Sequence, residues 1–322
     1  MSRCLPSPFS FTRSPIGIDV GDDMVRILQT DIRSGAIKAM AALPLPSRDE
    51  VRSFADLLKH AFREGGFLGR RCMLSAPLGS FHVESVVAPK SCPEELKRAL
   101  AWKASERFGL PECRMEVDWL HTGMMSAGPR SPQTAVLLFA FEHAACTHWL
   151  DSVMLAGCTP IALEPGFCAA ARTHSRRYRR VRDREHSRVL LHAGSDGHAL
   201  LFLRGDQIVN CSIFSPRGPE TVPEWIEGCL GPCCTTLPGR NPRQFICSGS
   251  GAARSELARM IGDVLGTPVS LDDELGSVQA LGTAMEQRGI VDDDPSAWTA
   301  VMGLALRPTR ARKAYQYRGR AA

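Results

Sequence analysis

The sequence predicts an α/β fold of two related lobes that share a duplicated, strand-rich core. The first observation is an apolar strand that leads into Asp19, one further apolar residue and Gly21, and is followed by a second apolar strand. The second observation is the same pattern about halfway along the chain, where His192 and Gly194 take the places of Asp19 and Gly21. The third is that strands are followed by helices in each half. Such a repeated order is typical of a duplicated α/β protein.

The first half is predicted to contain three helices among its strands. Ser47 and Glu50 form a capping box that begins the first helix, and Ser91 and Glu94 form another that begins the second. A third helix passes through Trp149 and ends at a glycine. The strands, identified from short apolar runs and alternation, are predicted at 16–20, 24–29, 36–41, 72–75, 81–88, 115–121, 135–141 and 161–163.

The second half repeats this opening. Its first three strands are predicted at 189–192, 199–203 and 207–214. A later strand at 244–247 leads through a glycine-rich turn into an apolar helix, and a final helix is predicted at about 296–306.

The chain is predicted to divide at the boundary between the two copies of the pattern. We expect a disordered N-terminus over 1–14, a first lobe over 15–170 with a small inserted subdomain at about 78–133, an Arg-rich connection over 171–187, a second lobe over 188–307, and a basic tail over 308–322.

Composition excludes several classes of protein. The N-terminus lacks the apolar region of a signal peptide, and no run approaches 18 uninterrupted apolar residues, so we expect no membrane span. The 12 scattered cysteines then indicate reduced thiols in the cytosol. Most of the basic excess lies at 172–188 and 307–320, where it could contact nucleic acid or an anionic membrane, or could be a solvated connection and a frayed end. Aromatic residues are sparse there, which argues against nucleic acid.

Four segments, in order along the chain, resemble one protein family. The segment 16–26, with its Asp-x-Gly pattern, resembles the first phosphate motif of the actin-like ATPase superfamily, and more specifically the PilM family of type IV pilus assembly proteins, relatives of the cell-division protein FtsA. Segment 94–111 resembles the subdomain that this family inserts in its first lobe. Segment 155–165 resembles the return to the main fold, and 300–307 the last helix. The resemblance implies an actin-like, ribonuclease H-like duplicated fold.

The resemblance also implies a nucleotide site between the lobes. In such folds a first-lobe Asp orders Mg²⁺ through water, and glycine turns place backbone N–H groups on the phosphates. The adenosine lies on a glycine-rich strand-to-helix turn. The candidate nucleotide-binding residues, with Asp19 also the candidate metal ligand, are therefore Asp19, Gly21, Asp22, Asp23, Arg26, His192, Gly194, Ser195, Gly249, Ser250 and Gly251.

Departures from the family pattern argue against efficient ATP hydrolysis. Asp22 and Asp23 fall where the family has hydroxyl residues, and one like-charge contact with phosphate costs about 4 kcal/mol at 4 Å and an effective dielectric near 20. Mg²⁺ would offset part of this, and Arg26 keeps the positive charge of the family's Lys. His192 replaces the second-lobe Asp, and a neutral imidazole suits Mg²⁺ poorly. His192 is either a residual phosphate contact or a buried histidine at a strand end. ATP and Mg²⁺ thus remain possible but doubtful cofactors.

The sequence gives little indication of other catalytic or metal-binding sites. The sequence has no P-loop, Rossmann fingerprint or zinc-protease motif. The Gly194-Ser195-Asp196-Gly197 turn lacks the pattern that surrounds a nucleophilic serine. Five cysteines could suggest a metal, but their spacing is not that of a zinc ribbon; they are Cys211, Cys229, Cys233, Cys234 and Cys247.

The resemblance implies a scaffold function rather than an enzyme. It indicates a cytoplasmic subunit of a type IV pilus or type II secretion-like assembly at the inner face of the inner membrane, which binds the N-terminal cytoplasmic tail of a single-pass membrane protein. The membrane is reached only through that partner. The family docks this tail at the inserted subdomain, where Trp102 and Phe108 are candidate contacts, although most of that helix stripe is expected to be core. We expect a groove between this subdomain and the first lobe to take up an apolar peptide of roughly ten residues.

Two alternatives stay open. One is an active ATPase or phosphotransferase of the superfamily, such as a sugar kinase, which would need a carboxylate at the position of His192. The other is the type II secretion protein L, whose cytoplasmic part shares the fold but continues into a membrane helix.

Overall fold

The computed structural model describes residues 13–21, 23–45, 51–89, 91–127, 132–176, 186–194, 197–215, 221–236, 242, 244–249, 251–272, 276–290 and 293–307. The predicted capping box at Ser47 and Glu50 lies outside these residues, as does the predicted basic tail. Within them, no helix is both long and apolar enough to cross a membrane.

The first half alternates strands with helices. Its elements are β1 (Ile16–Val20), β2 (Met24–Thr30), β3 (Ile37–Pro44), α1 (Val51–Glu64), β4 (Arg71–Ala76), β5 (Phe81–Pro89), α2 (Pro93–Phe108), β6 (Met115–Ala127), β7 (Pro132–Glu142), α3 (His143–Leu155), β8 (Thr159–Pro165) and α4 (Gly166–Ser175).

The second half opens with strands and closes with helices. Its elements are β9 (Ser187–Ala193), β10 (His198–Arg204), β11 (Gln207–Phe214), α5 (Val222–Thr236), β12 (Gln244–Gly249), α6 (Gly251–Leu265), β13 (Ser270–Leu271), α7 (Gly276–Glu286), a 3₁₀ turn (Pro295–Trp298) and α8 (Thr299–Ala305).

Two five-stranded sheets have the same topology. Their strand orders are β3-β2-β1-β4-β8 and β11-β10-β9-β12-β13. In each sheet an antiparallel three-stranded meander is extended by two strands that run parallel to its first strand. The predicted duplication is therefore present strand for strand.

Each sheet buries one face against helices of its own lobe. In the first lobe, Phe54 of α1 and Trp149 of α3 meet edge to face, with ring centroids 5.5 Å apart, in the core that contains Ile18 and Leu74. In the second lobe, side chains of α5 and α6 such as Ile261 join the core of the second sheet. Burial of such side chains supplies roughly 1.5–3 kcal/mol each, which holds each sheet to its helices.

The inserted subdomain is a three-stranded sheet, β5-β7-β6, covered by α2. It was predicted to end near Gln133, but β7 pairs with both β5 and β6, so the sheet continues to Glu142. Helix α2 begins at Pro93 with Cys92, not the predicted Ser91, as its N-cap, because proline favours the first helical position.

Helices α4 and α8 join the lobes. Helix α8, from the second half, packs on β1, β2 and β4 of the first lobe. Helix α4, from the first half, buries Phe167 and Ala171 against Leu190 and Leu201 of the second sheet. The two helices also pack on each other, so each lobe contributes one helix to the other.

Two predicted boundaries differ from the structure. Ser14, predicted to be disordered, is buried, and its hydroxyl accepts a hydrogen bond from the Thr30 N–H at 2.9 Å. The Arg-rich connection was predicted to start at residue 171, but α4 continues to Ser175. Arg172 is partly buried and pairs with the buried Glu164 at 2.7 Å, and Arg188 is buried. Residues 177–185 lie outside the described residues.

Candidate functional site

The two duplicated hairpin loops are closed by equivalent hydrogen bonds. The Gly21 N–H donates to the Met24 carbonyl at 3.0 Å, and the Gly194 N–H donates to the Gly197 carbonyl at 2.9 Å. Each loop thus has four residues from donor to acceptor. Consequently these two N–H groups, which the sequence predicted as phosphate donors, are already used within their own loops.

Asp19 and His192 occupy equivalent places in the two sheets. Asp19 lies opposite Ser75 of the parallel neighbour strand, and the Ser75 hydroxyl donates to its carboxylate. His192 lies opposite Ser248, with Nδ1 3.3 Å from the Ser248 hydroxyl oxygen. Each lobe therefore presents one polar side chain held by a serine.

One cleft of about 490 Å³ collects most of the predicted nucleotide-site residues. It is lined by seven of them, namely Asp19, Gly21, Asp23, Arg26, His192, Gly194 and Gly249. Asp22, Ser195 and Ser250 lie outside the described residues, and Gly251 is the first residue of α6. The structure thus brings residues of both hairpins together between the lobes.

Sequence reasoning missed Asp293, which controls the charge of this cleft. Arg26 donates to it through Nε at 2.8 Å and through Nη2 at 2.7 Å, and the Trp298 indole N–H donates at 3.0 Å. Burial alone would lower the pKa of Arg26, but the hydrogen bond and charge of Asp293, with the charges of Asp19 and Asp23, raise it. Arg26 is therefore a charged group already paired within the protein. The acidic run at 292–294 is visible in the sequence. A loop, however, lacks the regular residue spacing by which a helix or strand shows its buried face, so the sequence does not tell which carboxylate points inward.

The cleft is anionic. Asp19, Asp23, Asp293 and Asp294 line it, whereas Arg26 is the one guanidinium among the described lining residues. Burial, with a smaller contribution from the nearby His198, lowers the pKa of His192 to about 4, so this imidazole is neutral at pH 7.

These residues fit a nucleotide poorly. A triphosphate would face four carboxylates and a guanidinium already engaged by Asp293. Among the described residues, no group of three or more His, Cys, Asp or Glu is placed to hold a metal ion. We therefore derive no phosphoryl-transfer step through this cleft.

Gly249, predicted for an adenosine turn, has a structural reason to be glycine. Its φ is +114°, and a Cβ there would lie 2.0 Å from the carbonyl oxygen of Ala193, its partner on β9. Both the backbone angle and this close approach exclude other side chains. Strand packing therefore requires a glycine at this position, whether or not a ligand binds.

A second, larger cavity of about 720 Å³ lies where the inserted subdomain meets α4, β8 and the turn between β10 and β11. Its apolar wall includes Trp119, Phe139, Phe141, Leu163 and Ile208. Such a mixture of aromatic and aliphatic walls with a few polar groups is typical of a ligand pocket.

Glu164 organises the charged side of this cavity. Arg172 binds both of its carboxylate oxygens, at 2.7 and 2.9 Å, and Arg307 binds one at 2.8 Å. Both arginines and Glu164 line the cavity. Because two guanidiniums share one carboxylate, this group of three side chains carries a net positive charge.

The predicted partner contacts, Trp102 and Phe108, both lie on α2. Trp102, on α2, is 61% exposed, and Phe108 stacks on His82 with ring centroids 4.8 Å apart. Neither is among the residues that line the 720 Å³ cavity. Trp119, on β6, does line the cavity. The sequence did not indicate this, because alternation along a strand does not tell which face meets another domain.

Comparison with known proteins supports the fold. No family model matches the sequence, and no curated protein matches it. Among solved structures, the chain is similar to a PilM–PilN type IV pilus biogenesis complex, with a TM-score of 0.71 and 17% identity over 92% of this chain and 99% of that chain. It is also similar to a protein of actin-like ATPase fold and unknown function from Bacteroides thetaiotaomicron, with a TM-score of 0.52 and 11% identity over 87% of this chain and 99% of that chain. The predicted actin-like fold is confirmed.

Proposed function

We propose that this protein is a non-catalytic, actin-like scaffold subunit of a pilus or secretion assembly at the inner face of the inner membrane. The observation that carries the proposal is that the inter-lobe cleft is anionic and internally paired, while a separate 720 Å³ cavity is open to a ligand. Structural similarity to a chain from a PilM–PilN pilus complex, over nearly all of both chains, supports the choice of assembly.

The ligand of the cavity, in this proposal, is the N-terminal cytoplasmic tail of a single-pass membrane protein. An extended peptide carries successive side chains that a deep apolar pocket can hold as anchors. Trp119, Phe139 and Phe141 supply aromatic walls for such anchors. The partner would hold the scaffold at the membrane.

Leu120→Glu should weaken binding of this tail by at least about tenfold, because a charge would enter the apolar wall. Leu120 lines the cavity and is 43% exposed, so the substitution should leave the fold intact. The measurement is a binding titration with a synthetic peptide. The peptide has the sequence of the cytoplasmic tail of a single-pass membrane protein encoded next to the gene of this chain. The comparison variant is Trp102→Ala, on the outer face of α2. If Trp102→Ala abolishes binding and Leu120→Glu does not, the tail docks on α2 through the predicted contact Trp102, and the cavity assignment fails.

We expect negligible ATP turnover and weak or absent binding of Mg·ATP. The reason is the set of four cleft carboxylates, together with a neutral His192 where a metal-ordering acid is needed. Calorimetric titration with Mg·ATP measures the binding affinity, and a phosphate-release assay measures the rate of hydrolysis. Robust turnover that disappears in Asp19→Ala would instead establish the alternative, an active ATPase.

A further inference from the structure

Each of the three sheets presents an edge strand to the 720 Å³ cavity. Strand β6 ends the order β5-β7-β6, while β8 and β11 lie at the edges of the first and second five-stranded sheets. The lining includes consecutive residues at each edge, namely 118–121 on β6, 163–165 on β8, and 206–208 at the start of β11 and the turn before it. Because side chains alternate between the two faces of a strand, such runs show that the strands meet the cavity along their edges, where backbone N–H and C=O groups lie.

Strand β6 is the edge best placed to receive another strand. Residues 115–121 pair with β7 in an unbroken register, and the first irregularity follows His121. Leu120 is 43% exposed, and His121 is exposed as well. In contrast, two of the seven residues of β8 are Pro160 and Pro165, and proline lacks the N–H donor that an added strand would use. Strand β11 reaches the cavity only with its first two residues.

One hydrogen bond shows which backbone groups of β6 point outward. The Trp119 N–H donates to the carboxylate of Asp118 at 2.9 Å, so this N–H points away from β7. Backbone orientation repeats every second residue along a strand, and therefore the N–H and C=O groups of His121 point to the same edge. Within the described part of the chain, β6 pairs with β7 alone, so the outward groups of His121 have no neighbouring strand.

We propose that the cytoplasmic tail of the membrane partner binds as an added β-strand along the edge of β6, an inference that rests on the proposed function. The main chain of an extended peptide supplies donors and acceptors that match those of Trp119 and His121. One peptide carbonyl replaces the Asp118 carboxylate on the Trp119 N–H. Every second side chain of the peptide then enters the cavity that Leu163 and Ile208 also line, so the tail should carry apolar residues at alternate positions.

The test is a backbone N-methylation scan of the tail peptide. Each synthetic peptide has the sequence of the cytoplasmic tail of the single-pass membrane protein encoded next to the gene of this chain. It carries one N-methyl group, which removes one main-chain donor and keeps every side chain. The dissociation constant should rise at least about tenfold at every second position of the bound segment and change little at the positions between, because only alternate N–H groups face β6.

His121→Pro and His121→Ala identify the strand that receives the peptide. Both variants lack the imidazole, but only proline also removes the outward N–H, and it leaves the hydrogen bonds between β6 and β7 in place. The unmodified peptide should bind His121→Pro at least about tenfold more weakly than His121→Ala. Equal melting temperatures of the two variants establish that both are folded, and the N-methylation scan needs no variant.

The outcomes separate this inference from the proposed function. If the unmodified peptide binds but the scan shows no alternation, or if the two His121 variants bind it equally, strand addition to β6 is overturned while the scaffold function stands. If the unmodified peptide does not bind, both are contradicted. A dimer of the peptide-free chain that His121→Pro dissociates and the peptide does not would show that β6 pairs with a second copy, which also overturns the inference.

Discussion

Gly303→Ala is expected to destabilise the protein by more than about 3 kcal/mol, because no side chain fits where α8 crosses α4. A Cβ at this position would lie 1.8 Å from the carbonyl oxygen of Ala169, a backbone atom that cannot turn away. Overpacking of a core by one group costs typically 1–3 kcal/mol when side chains can adjust, and here two helices would have to separate. The Gly303 carbonyl also accepts a hydrogen bond from Arg172, so separation would disturb the charged wall of the 720 Å³ cavity.

Urea unfolding of the variant measures this effect. Gly262→Ala is the matched control, because Gly262 also lies in a helix, α6, but its Cβ would lie 3.5 Å from the nearest atom. That substitution should leave stability unchanged or raise it by up to about 1 kcal/mol. Equal stability of the two variants would contradict the tight helix crossing.

Arg26→Met should cost about 3 kcal/mol of stability, since it leaves the carboxylate of Asp293 without its guanidinium partner. The side chains of Arg26 and Asp293 are only 11% and 12% exposed, so water replaces little of the lost interaction. The Trp298 indole N–H remains as a donor but carries no charge. Chemical denaturation of the purified variant and of the wild type measures this loss in the free energy of unfolding.

Two further variants separate charge from packing. The double variant Arg26→Met/Asp293→Asn should recover much of the loss, because the buried charge is gone. Lys59→Met breaks the surface pair of Lys59 and Asp56, whose side chains are 44% and 73% exposed, and should leave stability nearly unchanged. A similar loss in Lys59→Met and Arg26→Met would show that the cleft pair is no stronger than a surface one.

Helix α4 links the cleft and the cavity. Gly166 and Phe167, in its first turn, line the cleft, while Arg172 and Ser175, further along, line the cavity. Its packing on α8 therefore supports both sites, and this is why a substitution at Gly303 is expected to affect more than local stability.

The amino-acid sequence by itself determined the duplicated hairpins. Alternating apolar residues specify strands, and Gly21 and Gly194 mark the loops. Each copy can therefore be recognised within a window of about 15 residues. The equivalence of Asp19 and His192 follows from this local pattern, and the structure places both in one cleft. The sequence likewise shows directly that a histidine, His192, stands where the first copy has an aspartate.

The local pattern did not reveal α4, α5 or α7. Eight of the ten residues of α4 are buried, because it packs on α8 and on the second sheet. A helix covered on several sides shows no polar face and therefore no amphipathic period. Arg172, read as part of a solvated connection, is neutralised by Glu164, a residue of the preceding strand whose inward direction the sequence does not show.

Only the tertiary structure decided which charged and aromatic groups meet. Arg26 and Asp293 are 267 residues apart, and nothing in either segment identifies the other as its partner. Likewise, the sequence did not show that Trp119 lines the cavity whereas Trp102 does not. Strand and helix periods are set by covalent geometry within one segment, whereas these contacts depend on how three sheets pack, which is decided by the burial of the whole chain.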